Sequence, residues 1–384
     1  MQKKIIALAV AGLVSGAAFA QSNVTIYGIA DVGLDIANSG YGTQTRVQSG
    51  QSAGSRIGFK GEEALGNGLK AEFVLESGVN LDTGSISGHT TNIQQGIAGQ
   101  NTAGNQVPNT TQNAGSTVFS RQAYAGLTSS TLGGVYFGKQ YTPGFVVKAK
   151  ADAFGLGMSP NANNVYQMAD RFDNAVTYKT PVLAGFSGQV AYSSGQENNG
   201  TDNGNATLAQ VRAGKAAGIM AQYDNGPVWV GASYHDVNGL NYTGTTATAP
   251  SVTKEYLLGA SYDFKVVKAY AGYGARKATQ DGIDGKSADN SFYNIGVTAP
   301  FGAHKVLAQY SYLNDKLAAD ADFRVYGVGY EYAMSKRTAL YAAYAKGQNK
   351  NAGVSRLNSA LTNGLTPIAG YDGFSITTGV RHSF

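Results

Sequence analysis

Residues 24–36 read VTIYGIADVGLDI. In an extended chain Val24, Ile26, Gly28, Ala30, Val32, Leu34 and Ile36 share one face, and Thr25, Tyr27, Asp31 and Asp35 share the other. Apolar and polar side chains alternating at every second residue mark a half-buried strand. The same period returns along the chain. In GLKAEFVLESG (68–78), Leu69, Ala71, Phe73 and Leu75 alternate with Lys70, Glu72, Val74 and Glu76. In KEYLLGASYDFK (254–265), Tyr256, Leu258, Ala260, Tyr262 and Phe264 alternate with a mostly polar set.

These runs come in pairs joined by short turns. GEEALGNGLKAEF turns at Leu65–Gly68, and MAQYDNGPVWVGASY turns at Asn225-Gly226, a tight-turn dipeptide. YEYAMSKRTALYAAY turns around Ser335–Arg337. Between the hairpins lie longer polar stretches: 81–117, 142–172, 194–210, 237–252, 278–290 and 350–372. Tight turns at one end and long loops at the other form the asymmetry of an outer-membrane barrel. The pattern predicts strands at 24–37, 55–63, 68–79, 118–128, 133–141, 174–181, 186–193 and 212–224. It continues with 227–236, 254–264, 266–277, 291–300, 305–315, 322–334, 338–348 and 373–384. The fold class is therefore all-β: a 16-stranded antiparallel transmembrane barrel with both termini on the short-turn side.

Composition agrees. Charged residues are 14% of the 384, against about 25% in an ordinary soluble chain, and the 52 glycines are nearly twice the usual share. Tyr (24) and Phe (15) are plentiful, which favours sheet. Cysteine is absent, so disulfides and thiolate chemistry are excluded. The net charge is +5, two of it from Lys3 and Lys4. Lys and Arg are scattered singly rather than gathered in a patch, which excludes nucleic-acid binding.

MQKKIIALAVAGLVSGAAFA (1–20) has two lysines, an apolar run from Ile5 to Val14 and a small-x-small ending. That is a secretory signal peptide, with cleavage expected between Ala20 and Gln21. The run is too short to cross about 30 Å of hydrocarbon. No later stretch reaches the length of a membrane-spanning helix. An exported chain of this kind resides in a membrane only as a barrel, which satisfies its backbone internally. A secreted β-sandwich is the alternative. Its apolar face would be dominated by bulky residues, whereas this one mixes Ala and Gly with aromatics.

Seven stretches fall in a familiar order: NVTIYGIADVGLDI, SRIGFKGEEALGNGLKAEFVLESG, FSRQAYAGL, GGVYFGKQY, NAVTYKTPVLAGFSGQVAY, SKRTALYAAYA and GVRHSF. Taken together the chain resembles the general diffusion porins of β-proteobacteria, the Neisseria/Burkholderia/Bordetella type. The resemblance implies an outer-membrane location in lipid and lipopolysaccharide, a homotrimer, and passive diffusion of small hydrophilic solutes and ions. It implies one barrel domain over 21–384, whose third extracellular loop, 142–172, folds inward and narrows the pore. That loop carries Phe145, Val146, Val147, Phe154, Leu156, Met158, Val165 and Tyr166, which need somewhere to pack.

The candidate residues are those that set charge along the path. Arg56 and Lys60 share a face with Gly58 and Glu62, opposite Ile57 and Phe59, and should point into the lumen. A lipid-facing Arg near the midplane costs roughly 2–4 kcal/mol. The resemblance further implies that Arg56, Arg121 and Arg171 gather at the constriction. Strict alternation puts Arg121 with Phe119, Ala123, Ala125 and Leu127 on the outward face. Its inward placement then requires a bulge, or else a wall covered by a neighbouring subunit. Acidic partners are expected in Asp152, Asp170 and Asp173 on the loop and in Glu72 and Glu76 on the wall. A basic wall facing an acidic loop gives a weak anion preference.

No cofactor or metal is implied, and nothing points to an enzyme. His89, His235, His304 and His382 lack metal-ligand spacing, and G-x-S-x-G and H-E-x-x-H are absent. A substrate-specific channel, or a barrel whose surface loops act in adhesion, remains open on sequence. At the C-terminus, SITTGVRHSF (375–384) should pair with the first strand and close the barrel, with Arg381 inward near the periplasmic mouth. Phe384 would then be the terminal aromatic that barrel assembly machinery reads.

Overall fold

The structure is a computed structural model. It describes residues 23–87, 118–195, 215–280, 286–351 and 370–384, apart from Ser39, Tyr41, Gln167, Gly244, Thr245 and Ala318. The leader, its cleavage point at Ala20 and Gln21, and most of the loop after residue 81 lie outside these residues.

Among the described residues the strands, in chain order, begin with β1 (Asn23–Asn38), β2 (Thr43–Ser49), β3 (Arg56–Gly66), β4 (Leu69–Asn80), β5 (Ser85–Ser87) and β6 (Gln122–Ser129). Then come β7 (Gly133–Tyr141), β8 (Arg171–Lys179), β9 (Phe186–Ser194), β10 (Lys215–Asn225), β11 (Val228–Thr243) and β12 (Thr246–Asp263). The last six are β13 (Lys268–Gln280), β14 (Lys286–Phe301), β15 (His304–Asp315), β16 (Phe323–Ala333), β17 (Thr338–Asn349) and β18 (Phe374–Ser383). One helix, α1 (Pro143–Lys150), lies between β7 and β8.

Each strand pairs antiparallel with its neighbours, and the ring is closed. On one side β1 pairs with β18, from Ile29↔Ser383 to Asn38↔Phe374. On the other its upper half pairs with β2 and its lower half with β3. β2 and β3 are thus two halves of one stave, parted at residues 50–55. β5 and β6 share a stave in the same way, both pairing with β4. Counted so, the barrel has sixteen staves. Long apolar side chains such as Ile295, Val297, Val328 and Tyr344 stand exposed on the outer wall, where lipid covers them. The inner face is mostly polar or small, apart from large residues such as Trp229, Leu257 and Phe292 that the third loop covers.

The seam is tied to the last residue. Phe384 exchanges both backbone hydrogen bonds with Gly28, each 3.1 Å. A Cβ at Gly28 would lie 2.4 Å from the Phe384 ring, so the ring packs against the glycine. Arg381 turns inward and pairs with Glu331 at 3.1 Å.

Several strand boundaries differ from the sequence reading. The 55–63 strand has an upper continuation, Thr43–Ser49. Residues 237–252 and most of 278–290, read as loops, extend the β11–β12 and β13–β14 ladders, with pairs from Val237↔Thr253 up to Thr243↔Thr246 in the first. Above the membrane both faces of a hairpin are wet, so the alternation that marks a strand disappears while the ladder continues. The strand placed at 118–128 starts only at Gln122.

The third loop crosses the interior. Thr142 caps α1 through its hydroxyl, which accepts the Phe145 N–H at 3.0 Å, and Pro143 opens the helix. From there the loop is pinned wall by wall. Gly144 N–H donates to His235 Nε2 of β11 at 2.8 Å, and Asn294 of β14 donates to the Ala151 carbonyl at 2.8 Å. Ala153 N–H donates to Gln309 of β15 at 3.0 Å, and the hydroxyls of Ser159 and Ser375 meet at 2.7 Å. The loop's apolar side chains find their place here. Val147, Val165 and Tyr166 pack on Trp229, Leu257 and Phe292, and Phe154 and Met158 on Leu307 and Tyr341.

The 50–55 break serves the same docking. Asp31, fully buried, accepts N–H groups from Ser52 at 3.0 Å and Ala53 at 2.7 Å and the Tyr341 hydroxyl at 2.6 Å. Held this way, the segment offers the Gln51 carbonyl to Met158 N–H at 2.5 Å.

Gly28→Val forces the Phe384 ring and the Arg56 carbonyl away from the seam. We expect it, like deletion of Phe384, to lower several-fold the heat-resistant compact band on unheated SDS gels. An unchanged band would mean that closure does not depend on this contact.

Candidate functional site

The ends of the inward loop meet at a ladder pair, Tyr141 closing β7 and Arg171 opening β8. Three guanidiniums gather there. Arg171 lies over the Tyr141 ring at 4.6 Å and donates to its hydroxyl at 3.1 Å. Arg121 donates to the same hydroxyl at 2.7 Å and through Nε to Glu76 Oε1 at 2.7 Å. Arg56 opens β3, with its Nε anchored on the Gly54 carbonyl at 2.9 Å. The other Glu76 oxygen accepts the Tyr27 hydroxyl at 3.0 Å. Tyr141 also stacks on Phe145 of α1, ring centroids 4.1 Å apart. The cluster is thus locked to the first turn of the loop.

Arg121 reaches the lumen in a way that strict alternation does not capture. Gln122 is the first residue of β6, opposite Glu76. Arg121 stands one residue earlier, and its backbone N–H also donates to the Glu76 carbonyl at 3.0 Å, so it falls out of the strict alternation. Two residues thus oppose one, the bulge that strict alternation required for an inward Arg121.

The remaining candidates are placed differently. Asp170, at the end of the loop, pairs with Lys148 at 2.5 Å, and Asp173, which lies within β8 and not on the loop, pairs with Lys139 at 2.5 Å, so both acids are neutralised by lysines that the sequence did not single out. Asp152 does not join the arginines. It is buried in the loop, where Oδ1 accepts the Phe154 N–H at 3.2 Å and Oδ2 accepts those of Leu156 at 2.7 Å and Ala162 at 3.2 Å. Burial pushes its carboxyl up from the ordinary range, and these hydrogen bonds oppose the shift. Glu72 sits one layer toward the short turns and accepts the Tyr136 hydroxyl at 3.2 Å. Lys60 is exposed, over the Tyr27 ring at 5.4 Å.

The structure therefore brings Arg56, Arg121, Arg171 and Glu76 together, with the Asp170–Lys148 pair close enough to act on Arg121, and leaves Lys60, Glu72, Asp152 and Asp173 outside that group. Three cations against one carboxylate leave a local positive excess. Tyr141, which orients two of the three, was missed. Its one sequence signal is its position, the last strand residue before a long loop. Beneath the loop lies a second charged region, a cavity of about 370 Å³ lined by Lys150, Lys268, Lys305 and Arg381, with Asp224 and Glu331 pairing three of these cations.

Comparison with known proteins finds the following. The family model for Gram-negative porins matches residues 7–352. The chain is 32% identical to an outer membrane porin protein of Bordetella pertussis, over 90% of this chain and 94% of that protein. It is 32% identical to Outer membrane porin protein 32 of Delftia acidovorans across the whole of both chains. Among solved structures, the anion-selective porin from Comamonas acidovorans superposes with a TM-score of 0.74 at 25% identity, covering 95% of this chain and all of that one.

Asp152→Ala leaves three backbone N–H groups without their acceptor, at a cost of about 1–3 kcal/mol for each buried donor. We expect limited proteolysis in detergent to cut within 142–172 at least several-fold faster, with the barrel still heat-resistant. Equal cleavage rates would remove Asp152 as the loop's internal staple.

Proposed function

The chain belongs to the Gram-negative porin family, and from that premise we propose that Arg56, Arg121 and Arg171 make it an anion-preferring channel of the outer membrane. Small hydrophilic solutes and ions pass it by diffusion. The observation that carries the reading is the cluster itself: three guanidiniums and one carboxylate at the root of a loop that crosses the lumen. The description of the Comamonas acidovorans relative as anion-selective supports it.

The residues divide the work. Glu76 and Tyr141 fix Arg121 and Arg171 against their mutual repulsion, so the positive charge stays in the wall whether or not a solute is present. A unit charge at 4 Å is worth about 1 kcal/mol in water and about 4 near a protein surface. A net excess of two cations along a narrow path therefore biases passage toward anions by about an order of magnitude. Asp170 and Asp173, held by Lys148 and Lys139, add no free negative charge to oppose it. A channel of this kind needs a fixed field and no bond-making step, and we read it as a porin rather than an enzyme.

The same reading takes residues 1–20 as the removed leader, 21–384 as the barrel and 142–172 as its constriction. It takes the assembled form as a homotrimer surrounded by lipid and lipopolysaccharide, with Phe384 as the mark the assembly machinery recognises.

Planar-bilayer reversal potentials in a salt gradient test the reading. The wild-type channel should favour anions, less so at 1 M than at 0.1 M salt as the screening length falls from about 10 to 3 Å. Arg56→Ala combined with Arg171→Ala should shift the reversal potential toward cations by several-fold in permeability ratio, with assembly intact. Cation selectivity in the wild type would sink the proposal. Liposome swelling should give a smooth size cutoff among sugars; saturation by one solute would instead mark a specific channel.

A further inference from the structure

Two cations stand on the outside of the barrel. Along β16, Phe323 and Val325 are buried inside while Tyr326, Val328 and Tyr330 are exposed outside, so Arg324 faces outward, and it is exposed. Along β17, Ala343 and Ala345 are buried and Tyr344 is exposed, which turns Lys346 outward as well. Registers place the two side by side. Arg324 is opposite Gln348, and Lys346 is opposite Tyr326, two residues further along each strand. Such a diagonal separates two residues by about 7–8 Å, within reach of one small anion.

Neither cation forms an ion pair with a carboxylate among the described residues. Arg324 reaches the Tyr310 hydroxyl, and Lys346 donates to the Asp372 carbonyl at 2.9 Å. The nearby Asp322 is taken up by the Tyr312 hydroxyl at 2.8 Å and by Lys350.

Directly below this pair, toward the membrane centre, the outer wall is grooved. The groove holds about 750 Å³ and is walled by Ile295, Val297, Tyr310, Tyr326, Val328 and Tyr344, with Ala308 leaving its floor open. Tyr326 belongs to both features: it lines the groove and is the ladder partner of Lys346. Arg324 lies nine residues above Ala333 at the short-turn end. With the usual rise and tilt that is roughly 20–25 Å, the far edge of an apolar band about 25 Å tall. On the long-loop side this is the outer-leaflet boundary, where phosphates begin and acyl chains end.

We propose that this is a lipid site: Arg324 and Lys346 hold a phosphate of a phosphorylated outer-leaflet lipid, and one of its acyl chains lies in the groove. Arg suits phosphate through its paired N–H donors, and Lys adds a point charge. The apolar chain excludes water from a wall that is already aliphatic and aromatic. The site rests on the outer-membrane placement of the barrel and is independent of what passes through the lumen.

Native mass spectrometry of the purified full-length barrel, titrated with bis-phosphorylated lipid A, tests it. Wild type should retain the lipid and bind its dephosphorylated form at least tenfold more weakly. Arg324→Gln with Lys346→Gln should lower retention by about tenfold or more, the loss of two charge-assisted contacts. Val328→Trp, which fills the groove and keeps both cations, should also lower it. Reversal potential should stay unchanged in both variants, so a failure here and a failure of the channel reading are separable. Equal retention by either variant, or equal binding of the dephosphorylated lipid, would overturn the site. So would unchanged lipid binding accompanied by easier dissociation of subunits, which would give this face to a protein neighbour.

Discussion

A strand in hydrocarbon can place its N–H and C=O groups only on another strand, and the pairing of β1 with β18 is where this chain meets that demand. Without it the sheet would have two open edges in lipid. With it every wall segment has a neighbour on each side, and the last residue is bonded on both its backbone groups to Gly28. The even count of staves, the alternation of lipid and lumen faces and the position of the long loops all follow from closure.

Closure creates a second requirement. A ring of sixteen staves is too wide for its own inward side chains to fill, so what enters the lumen must bring its own order. The third loop does this with polar pins to β11, β14, β15 and β18 and with an apolar patch against Trp229, Leu257 and Phe292. The pins are mostly backbone groups of the loop meeting side chains of the wall. That explains why inward residues such as His235, Asn294 and Gln309 are buried although they face a water-filled space. The arginine cluster sits where the loop leaves the wall, because there Tyr141 and Arg171 are ladder partners and Phe145 can stack on Tyr141.

Barrel, inward loop and lumen charges were legible to different degrees. Alternation read the membrane-embedded strands well, because lipid imposes one apolar face on each. It read the upper β11–β12 and β13–β14 hairpins as loops, because water on both faces removes the pattern. Arg56 followed from parity alone. Arg121 did not, since Arg121 and Gln122 both face Glu76 and strict parity fails at such a bulge. Asp152 looked like a pore acid from its place in the loop, yet its oxygens are spent on the N–H groups of Phe154, Leu156 and Ala162. Asp31, which the sequence placed only on the polar face of the first strand, organises the 50–55 break.

By itself the sequence determined the class of fold and the supply of arginines, since these rest on local period, composition and order along the chain. Only the tertiary structure decided which charges meet. Glu76, Arg121, Tyr141 and Arg171 belong to four adjacent staves, and Arg324 meets Lys346 only through the register of two strands. Local pattern fixes the face on which a side chain stands. Register and closure fix its neighbours, and electrostatics depends on neighbours.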